Sequence, residues 1–182
     1  APDWTELSAS DYEKIWSSDD DRFSYSQSES GKYSLILFRV KIESEEKVVK
    51  KVVLKFEGYG TAPAGNGVTV KVWNFTASAW QNAQTGTGGS DEEIFVTLTS
   101  SLTDFIDADG YAYLLARTTN PSDGVSAAII HCDYSECAVT VEGITYVDIV
   151  SYRDEDEVRV KPFLWRTEFM VKTWLFESVQ VT

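Results

Sequence analysis

Hydrophobic and polar positions alternate with a period of two along much of this chain. In residues 33–42 the apolar side chains of Ile36, Phe38, Val40 and Ile42 fall on one face, and the charged side chains of Arg39 and Lys41 fall on the other. This alternation is typical of a β-strand that is buried on one face only. The same pattern predicts further strands at residues 48–57, 68–72, 94–98, 112–116 and 139–141.

Turn-forming residues separate these predicted strands. Glycine, proline, asparagine and aspartate are concentrated at residues 58–60, 63–67, 85–90, 107–110 and 120–124. Short strands at regular intervals, without long helical segments between them, are typical of a β-sandwich. We therefore predict an all-β, jelly-roll β-sandwich, with one domain over residues 11–182 and a separate N-terminal segment over residues 1–10.

Only two short segments carry a helical pattern. Residues 8–15 fit a helix of one or two turns, in which Ser10 is the N-cap and Glu13 completes a capping box. Residues 101–106 fit a second short turn of helix. Neither segment is long enough to change the all-β prediction.

Strands are also predicted near both ends of the chain. Residues 17–30 fit either a loop or a short edge strand, because Phe23 and Tyr25 alternate with polar residues. β-branched and aromatic residues predict two C-terminal strands, at residues 162–165 and 169–176.

The charge balance narrows the choice of partners. The chain has 182 residues, with 16 Lys and Arg against 29 Asp and Glu, for a formal net charge of −13. Direct nucleic-acid binding is disfavoured, because it needs a net basic surface. No apolar run is long enough to cross a membrane, so no membrane insertion is expected. The start at Ala1 fits a secreted, extracellular chain whose signal peptide was removed, although an artificially chosen start would look the same.

The two cysteines leave two alternatives open. Cys132 and Cys137 are five positions apart, close enough for a disulfide across a turn. Two buried thiols without a disulfide fit the sequence equally well.

Catalysis is tested by elimination. His131 is the only histidine, and no Gly-x-Ser-x-Gly motif accompanies it. His131 and Cys132 would point to opposite faces of a strand, which disfavours a catalytic dyad and a zinc site that adds Asp133 and Cys137. We therefore predict no enzyme activity and a structural role for His131. A glycosidase carboxylate pair would be recognised only by its distance in the fold.

The acidic residues are better interpreted as ligands for a hard cation. Calcium takes about six to eight oxygen ligands from carboxylates, backbone carbonyls and water. The best single candidate is the segment 104–110, where acids alternate before Gly110, although it lacks the full ligand pattern of an EF-hand. The alternative is that these acids only solvate loops and cap turns. The calcium-ligand candidates are Asp19, Asp20, Asp21, Asp91, Glu92, Asp104, Asp107 and Asp109.

An aromatic segment supplies a different hypothesis. Trp73 and Trp80 could form a stacking platform for sugar rings, with Tyr59 as a further candidate. The favoured interpretation is core packing, in a hairpin whose two tryptophans cover the sheet face. The alternative function is therefore a calcium-stabilised, lectin-like carbohydrate-binding module.

Three segments of the chain together resemble known proteins: residues 52–60 (VVLKFEGYG), 68–80 (VTVKVWNFTASAW) and 111–119 (YAYLLARTT). They look like the jelly-roll modules of exported archaeal and bacterial proteins. The whole acidic chain, with an insertion that carries Cys132 and Cys137, further resembles the subunits of cannulae, the extracellular tubules of hyperthermophilic archaea. The resemblance implies a structural homopolymer that calcium drives to assemble into tubes or filaments. It provides no ligand motif, so the calcium candidates rest on the residues alone.

The N-terminal segment is a candidate for strand donation. Related extracellular filament subunits assemble by adding a terminal strand to the open sheet edge of a neighbour. The alternative is a terminus that frays or packs on its own chain. The candidate donor strand consists of Asp3, Trp4, Thr5, Glu6 and Leu7.

Overall fold

The computed structural model describes residues 5–42, 48–146, 164–173 and 176–181, with side chains described up to residue 142. A short helix, α1, spans Ala9–Glu13, and a single 3₁₀ turn spans Leu102–Asp104. No helix in these ranges is long and apolar enough to cross a membrane. The strands are β1 (Thr5–Glu6), β2 (Phe23–Gln27), β3 (Leu35–Lys41), β4 (Val49–Thr61), β5 (Val68–Asn74), β6 (Ala79–Gly86), β7 (Glu92–Leu98), β8 (Tyr111–Thr118), β9 (Ala128–Tyr146), β10 (Leu164–Thr173) and β11 (Phe176–Val181).

The strands form two antiparallel sheets. One sheet has six strands in the order β1-β11-β3-β8-β5-β6, and the other has the order β10-β9-β4-β7, with β2 also paired to β9. Among consecutive strands in the described parts of the chain, only β5 with β6 and β9 with β10 are paired neighbours in one sheet. The predicted all-β sandwich is confirmed, and the repeated crossing between sheets is the connectivity of a jelly roll.

The core lies between the inward faces of the two sheets. Phe38 of β3 and Phe56 of β4 are both fully buried and meet edge to face, with ring centroids 6.2 Å apart. Burial alternates along both strands as the sequence predicted. The inward side chains Ile36, Val40, Val52, Leu54, Val70, Leu114 and Ile130 belong to the same buried cluster.

The N-cap prediction for α1 is wrong by two residues. Ser8, not Ser10, is the N-cap, and its hydroxyl accepts the backbone N–H of Asp11 at 3.3 Å. The Asp11 carboxylate in turn accepts the N–H of Ser8 at 3.3 Å, which completes a capping box. The preceding residue, Leu7, is buried in the core, so the helix starts immediately after that anchor.

Strand boundaries also differ from the sequence predictions. The edge strand around Phe23 is confirmed, but β9 runs for 19 residues where only 139–141 were predicted. The C-terminal strands are divided differently from the prediction, because β10 pairs continuously with β9 from Leu164 to Thr173 and β11 spans Phe176–Val181. Residues 162 and 163 lie outside the described residues. Hydrogen bonding to a partner strand extended these elements beyond their local patterns.

Candidate metal centre

Three aspartates from distant parts of the chain come together in the fold. Asp20 is exposed in the loop before β2, Asp91 is half-buried directly before β7, and Asp133 lies in β9. Carboxylate oxygens of the three residues all lie within 4.8 Å of one another. Among the described residues, this is the one group of three or more acidic, histidine or cysteine side chains with that spacing.

A β-bulge places Asp133 in this group. Tyr134 lies opposite Glu57 of β4 and Cys132 lies opposite Gly58, so Asp133 is an extra residue on β9. A bulge changes the direction of side chains along a strand. It therefore turns Asp133 toward the two loops, where its side chain is only 1% exposed.

The same bulge explains the cysteines. Residues five apart on a regular strand face opposite sides, but Cys132 and Cys137 are both fully buried because the extra residue shifts the alternation. Neither cysteine forms a disulfide, which agrees with the second of the two alternatives. Burial, together with the nearby charge of Asp133, raises the pKa of the Cys132 thiol well above its ordinary value.

Gly58 allows β4 to approach the bulge. Its φ is +153°, and a Cβ added at this position would lie 2.1 Å from the backbone oxygen of His131. Any other residue would push the two strands apart at the point where Asp133 is positioned.

The loop that carries Asp20 is held by local hydrogen bonds. Asp20 has a φ of +70°, a left-handed conformation that aspartate tolerates better than most residues. The carboxylate of Asp19 accepts the hydroxyl of Ser17 at 2.7 Å and the backbone N–H of Asp21 at 3.1 Å. Both bonds lower the pKa of Asp19, so this acid stabilises the loop as an anion. Asp21 is exposed beside it.

Arg22 is the cationic side chain of the centre. Its Nε donates to both carboxylate oxygens of Asp91, at 3.0 and 2.7 Å, and its guanidinium also bonds to Asp20. These contacts raise the pKa of Arg22, led by the hydrogen bond to Asp91. One guanidinium thus faces three carboxylates, and the group keeps a formal excess of negative charge. The neighbouring acid, Glu92, instead accepts the N–H of Gly88 at 3.0 Å and caps the β6–β7 turn.

Asp133 is the least satisfied member of the centre. Its Oδ1 is buried and has no hydrogen-bond partner among the described residues. Burial raises the pKa of Asp133, and the charges of Asp91 and Glu57 raise it further, while Arg22 and the backbone N–H of Asp20 lower it. A buried carboxylate without a full set of partners is costly, and a cation would remove that cost. An all-carboxylate donor set suits a hard divalent cation such as Ca²⁺.

The segment 104–110 uses its acids to cap turns. Asp104 accepts the hydroxyl of Thr76 at 2.7 Å. Asp107 Oδ1 accepts the backbone N–H groups of Asp109 at 3.0 Å and Tyr111 at 2.8 Å. Among the described residues, these acids belong to no group of three or more acidic, histidine or cysteine side chains with ligand atoms within 4.8 Å of one another, and their hydrogen bonds fit the turn-capping alternative.

His131 lies next to the centre and packs as a structural residue. Its ring stacks on Tyr59 with centroids 4.3 Å apart, and its Nδ1 lies 2.7 Å from the hydroxyl oxygen of Ser24. Burial lowers the pKa of His131, and the charge of Arg22 lowers it further.

The two tryptophans lie opposite each other on the β5–β6 hairpin and cover part of the outer face of the sheet. Trp73 alternates with the buried residues Val72 and Asn74 and therefore lies on the outer face of the β5–β6 hairpin. Trp73 and Trp80 are half-buried and meet edge to face at 5.2 Å, with an angle of 69° between the rings. This geometry does not offer two coplanar ring faces.

The candidate donor strand pairs within its own chain. Thr5 lies opposite Val181 and Glu6 lies opposite Gln180, at the edge of the six-stranded sheet. Leu7 is buried in the core cluster. Asp3 and Trp4 lie outside the described residues, and exchange of this strand between chains stays a prediction.

Two of the three aspartates, Asp20 and Asp91, are among the calcium-ligand candidates predicted from the sequence. Asp133 is named there only for a zinc site, and Arg22 is not among the candidates. One signal was available: two cysteines at an odd spacing, in a segment without regular alternation, are compatible with a bulge between them. No local sequence pattern indicates that the loop before β2, the start of β7 and the bulge in β9 lie close together in the fold.

Comparison with known proteins gives a family. Residues 2–141 match the model of the family AF_1625_C, described as "Uncharacterized protein, C-terminal domain". The chain belongs to this family. The matched residues include all three aspartates and Arg22 and end before β10. Comparison with curated proteins and with solved structures gave no match.

Proposed function

We propose that this chain is a structural, non-enzymatic subunit that assembles with copies of itself when calcium binds to Asp20, Asp91 and Asp133. One observation carries the proposal. The buried Oδ1 of Asp133 has no hydrogen-bond partner among the described residues, and two further carboxylates lie within 4.8 Å of it. A divalent cation is the ligand that satisfies this arrangement.

Calcium binding favours assembly in two ways: it lowers the net negative charge of the subunit, and it restricts the conformation of the 19–21 loop. At a formal charge of −13, identical subunits repel each other over about one Debye length. A cation bound between the exposed Asp20 and the buried Asp133 lowers that charge and fixes the 19–21 loop against β9. A fixed loop loses less conformational entropy when a neighbour contacts it.

The resemblance to cannula subunits extends the proposal to an extracellular, secreted protein that forms tubules or filaments. Its support is the acidic composition together with the all-β sandwich. Donor-strand exchange would use β1, because this strand has only two residues and lies at a sheet edge.

A calcium-stabilised carbohydrate-binding module is the second candidate. The outward position of Trp73 and Trp80 favours it, while their edge-to-face contact does not. Loss of glycan binding on Trp80→Ala, with the fold retained, would support this candidate.

The first experiment measures cation binding and assembly in the same samples. Wild-type protein, Asp133→Asn and the control Asp109→Asn are titrated with calcium by calorimetry and then examined by light scattering and negative-stain microscopy. Asp109 is an exposed aspartate outside the centre, so its variant removes one charge and leaves the centre intact.

We expect wild-type protein and Asp109→Asn to bind calcium and to assemble, and chelator to prevent assembly. Asp133→Asn should lose both properties and remain folded. Assembly of the wild-type protein without calcium, or equal binding by Asp133→Asn, would exclude the proposed mechanism.

A further inference from the structure

The outer face of the six-stranded sheet is basic along β3, β5 and β8, although the whole chain is strongly acidic. Outward positions alternate with buried ones along β3, β5 and β8. None of these outward positions holds an acidic residue. We call the following half-buried residues the basic face: Leu37, Arg39, Lys41, Lys71, Tyr113, Leu115 and Arg117.

Strand register gives the basic face an apolar centre. Leu37 lies directly opposite Leu115, and Lys71 lies on the other side of Leu115. In the neighbouring rows, Arg39 is opposite Tyr113, and Arg117 is opposite Leu35. An apolar centre flanked by arginine and tyrosine is typical of a protein-binding surface.

The cations on this face lie over aromatic rings. The guanidinium of Arg39 is 3.7 Å from the ring centroid of Tyr111, and that of Arg117 is 4.2 Å from the ring centroid of Tyr33. The Nε of Arg117 is buried and has no hydrogen-bond partner among the described residues. No described carboxylate forms an ion pair with Lys71. The ammonium group of Lys71 therefore remains available to a carboxylate from another molecule.

The chain itself supplies a complementary surface. Asp19 and Asp21 are exposed in the loop that also carries Asp20. We infer that the basic face of one copy binds the acidic 19–21 loop of a second copy. The apolar centre favours a protein over a polyanionic sugar, and the ring faces of Tyr33 and Tyr111 are already covered by guanidinium groups.

This contact joins two different surfaces, so it repeats from copy to copy. A head-to-tail contact of this kind generates a ring when it closes and a filament when it does not. The inference rests on the proposed function for its partner, a second copy, and for the calcium that fixes the loop. It adds the surface that receives the loop.

Charge reversal on each surface tests the contact. Lys71→Glu reverses the basic face, and Asp21→Lys reverses the loop. Each variant alone should raise the protein concentration needed for assembly in calcium by about tenfold or more, since apposed like charges are strongly unfavourable. An equimolar mixture of the two variants should assemble as wild type, because each reversed surface then meets its complement.

Lys32→Glu is the matched control, because Lys32 is an exposed lysine that pairs with Glu29 and is not a member of the basic face. It should assemble at the wild-type concentration. Calcium binding by Lys71→Glu is measured separately by calorimetry and should equal that of wild type.

The outcomes separate this inference from the proposed function. Normal assembly of Lys71→Glu overturns the inference and leaves calcium-dependent assembly unaffected. If wild-type protein binds heparin and Lys71→Glu does not, while both assemble normally, the basic face binds a polyanion instead of a second copy. If wild-type protein assembles without calcium and Lys71→Glu does not assemble, the calcium-dependent mechanism is overturned and the contact between the basic face and the 19–21 loop is supported. Wild-type protein that binds calcium but stays monomeric overturns both.

Discussion

Asp133 shows how much one residue depends on its surroundings. The same carboxylate on a solvated loop would be an ordinary surface acid, but here it is 1% exposed beside two other aspartates. The energetic cost of that position is reduced by Arg22 in the absence of a cation. Arg22 therefore acts as an internal counter-ion that a metal must displace or share.

Removing this counter-ion should strengthen cation binding. Arg22→Gln eliminates the charge-assisted bonds to Asp91, which are worth about 1.5–3 kcal/mol in general, so calcium affinity should rise about tenfold or more. Titration calorimetry measures the change, with Lys32→Gln as a control for loss of a cation elsewhere. Unchanged or weaker binding would show that Arg22 does not compete with the metal.

His131 should make stability depend on pH in one direction. Its folded-state pKa lies below the ordinary value of 6.5, so the unfolded chain takes up the proton first as the pH falls. Wild-type protein should therefore lose stability relative to His131→Asn as the pH decreases from about 6.5. Urea unfolding of both proteins across this range measures the difference, and a constant difference would contradict the expectation.

At the scale of elements, the bulge in β9 decides the character of the centre. One inserted residue changes which side chains face the core, and it does so between two otherwise regular stretches of pairing with β4. Gly58 is its complement on the partner strand.

Replacement of Gly58 should disrupt both the fold and the centre. Gly58→Ala places a Cβ 2.1 Å from a backbone oxygen and should cost about 3 kcal/mol or more in the free energy of unfolding. Gly31→Ala is the control, because Gly31 also has positive φ (+76°) but no atom within 4 Å of an added Cβ, and should cost only about 1 kcal/mol. Equal effects in denaturant unfolding would show that the close approach is unimportant.

At the scale of the whole molecule, charge is separated rather than uniform. The chain has a formal charge of −13, yet it carries a basic face on one sheet and an acidic loop that contributes Asp20 to the candidate metal centre. Such separation allows copies of one chain to attract each other in one orientation and repel in others.

Locking β1 to its own sheet tests strand donation. The pair Thr5→Cys and Val181→Cys joins positions that lie opposite each other in the β1–β11 ladder. If β1 exchanges between subunits, the oxidised protein should stay monomeric in calcium, and reduction should restore assembly. Negative-stain microscopy before and after reductant measures this. Filaments formed by the fully oxidised protein would exclude exchange of β1.

The sequence by itself determined the all-β sandwich and most of its inward faces. Period-two alternation and turn residues are local signals, and burial on one face converts them directly into strands such as β3 and β4. Local chemistry also placed helical turns in the right regions, although the cap of α1 moved to Ser8 because Leu7 is anchored in the core.

Only the tertiary structure decided the candidate centre. Asp20, Asp91 and Asp133 are far apart in the chain, and their meeting depends on the pairing of β4 with β7 and β9 and on one extra residue in β9. The length of β9 and the basic face likewise depend on which strands become neighbours. Alternation predicts which face of each strand is buried. It does not predict which strands pair, and so it does not predict which loops and outward side chains become neighbours.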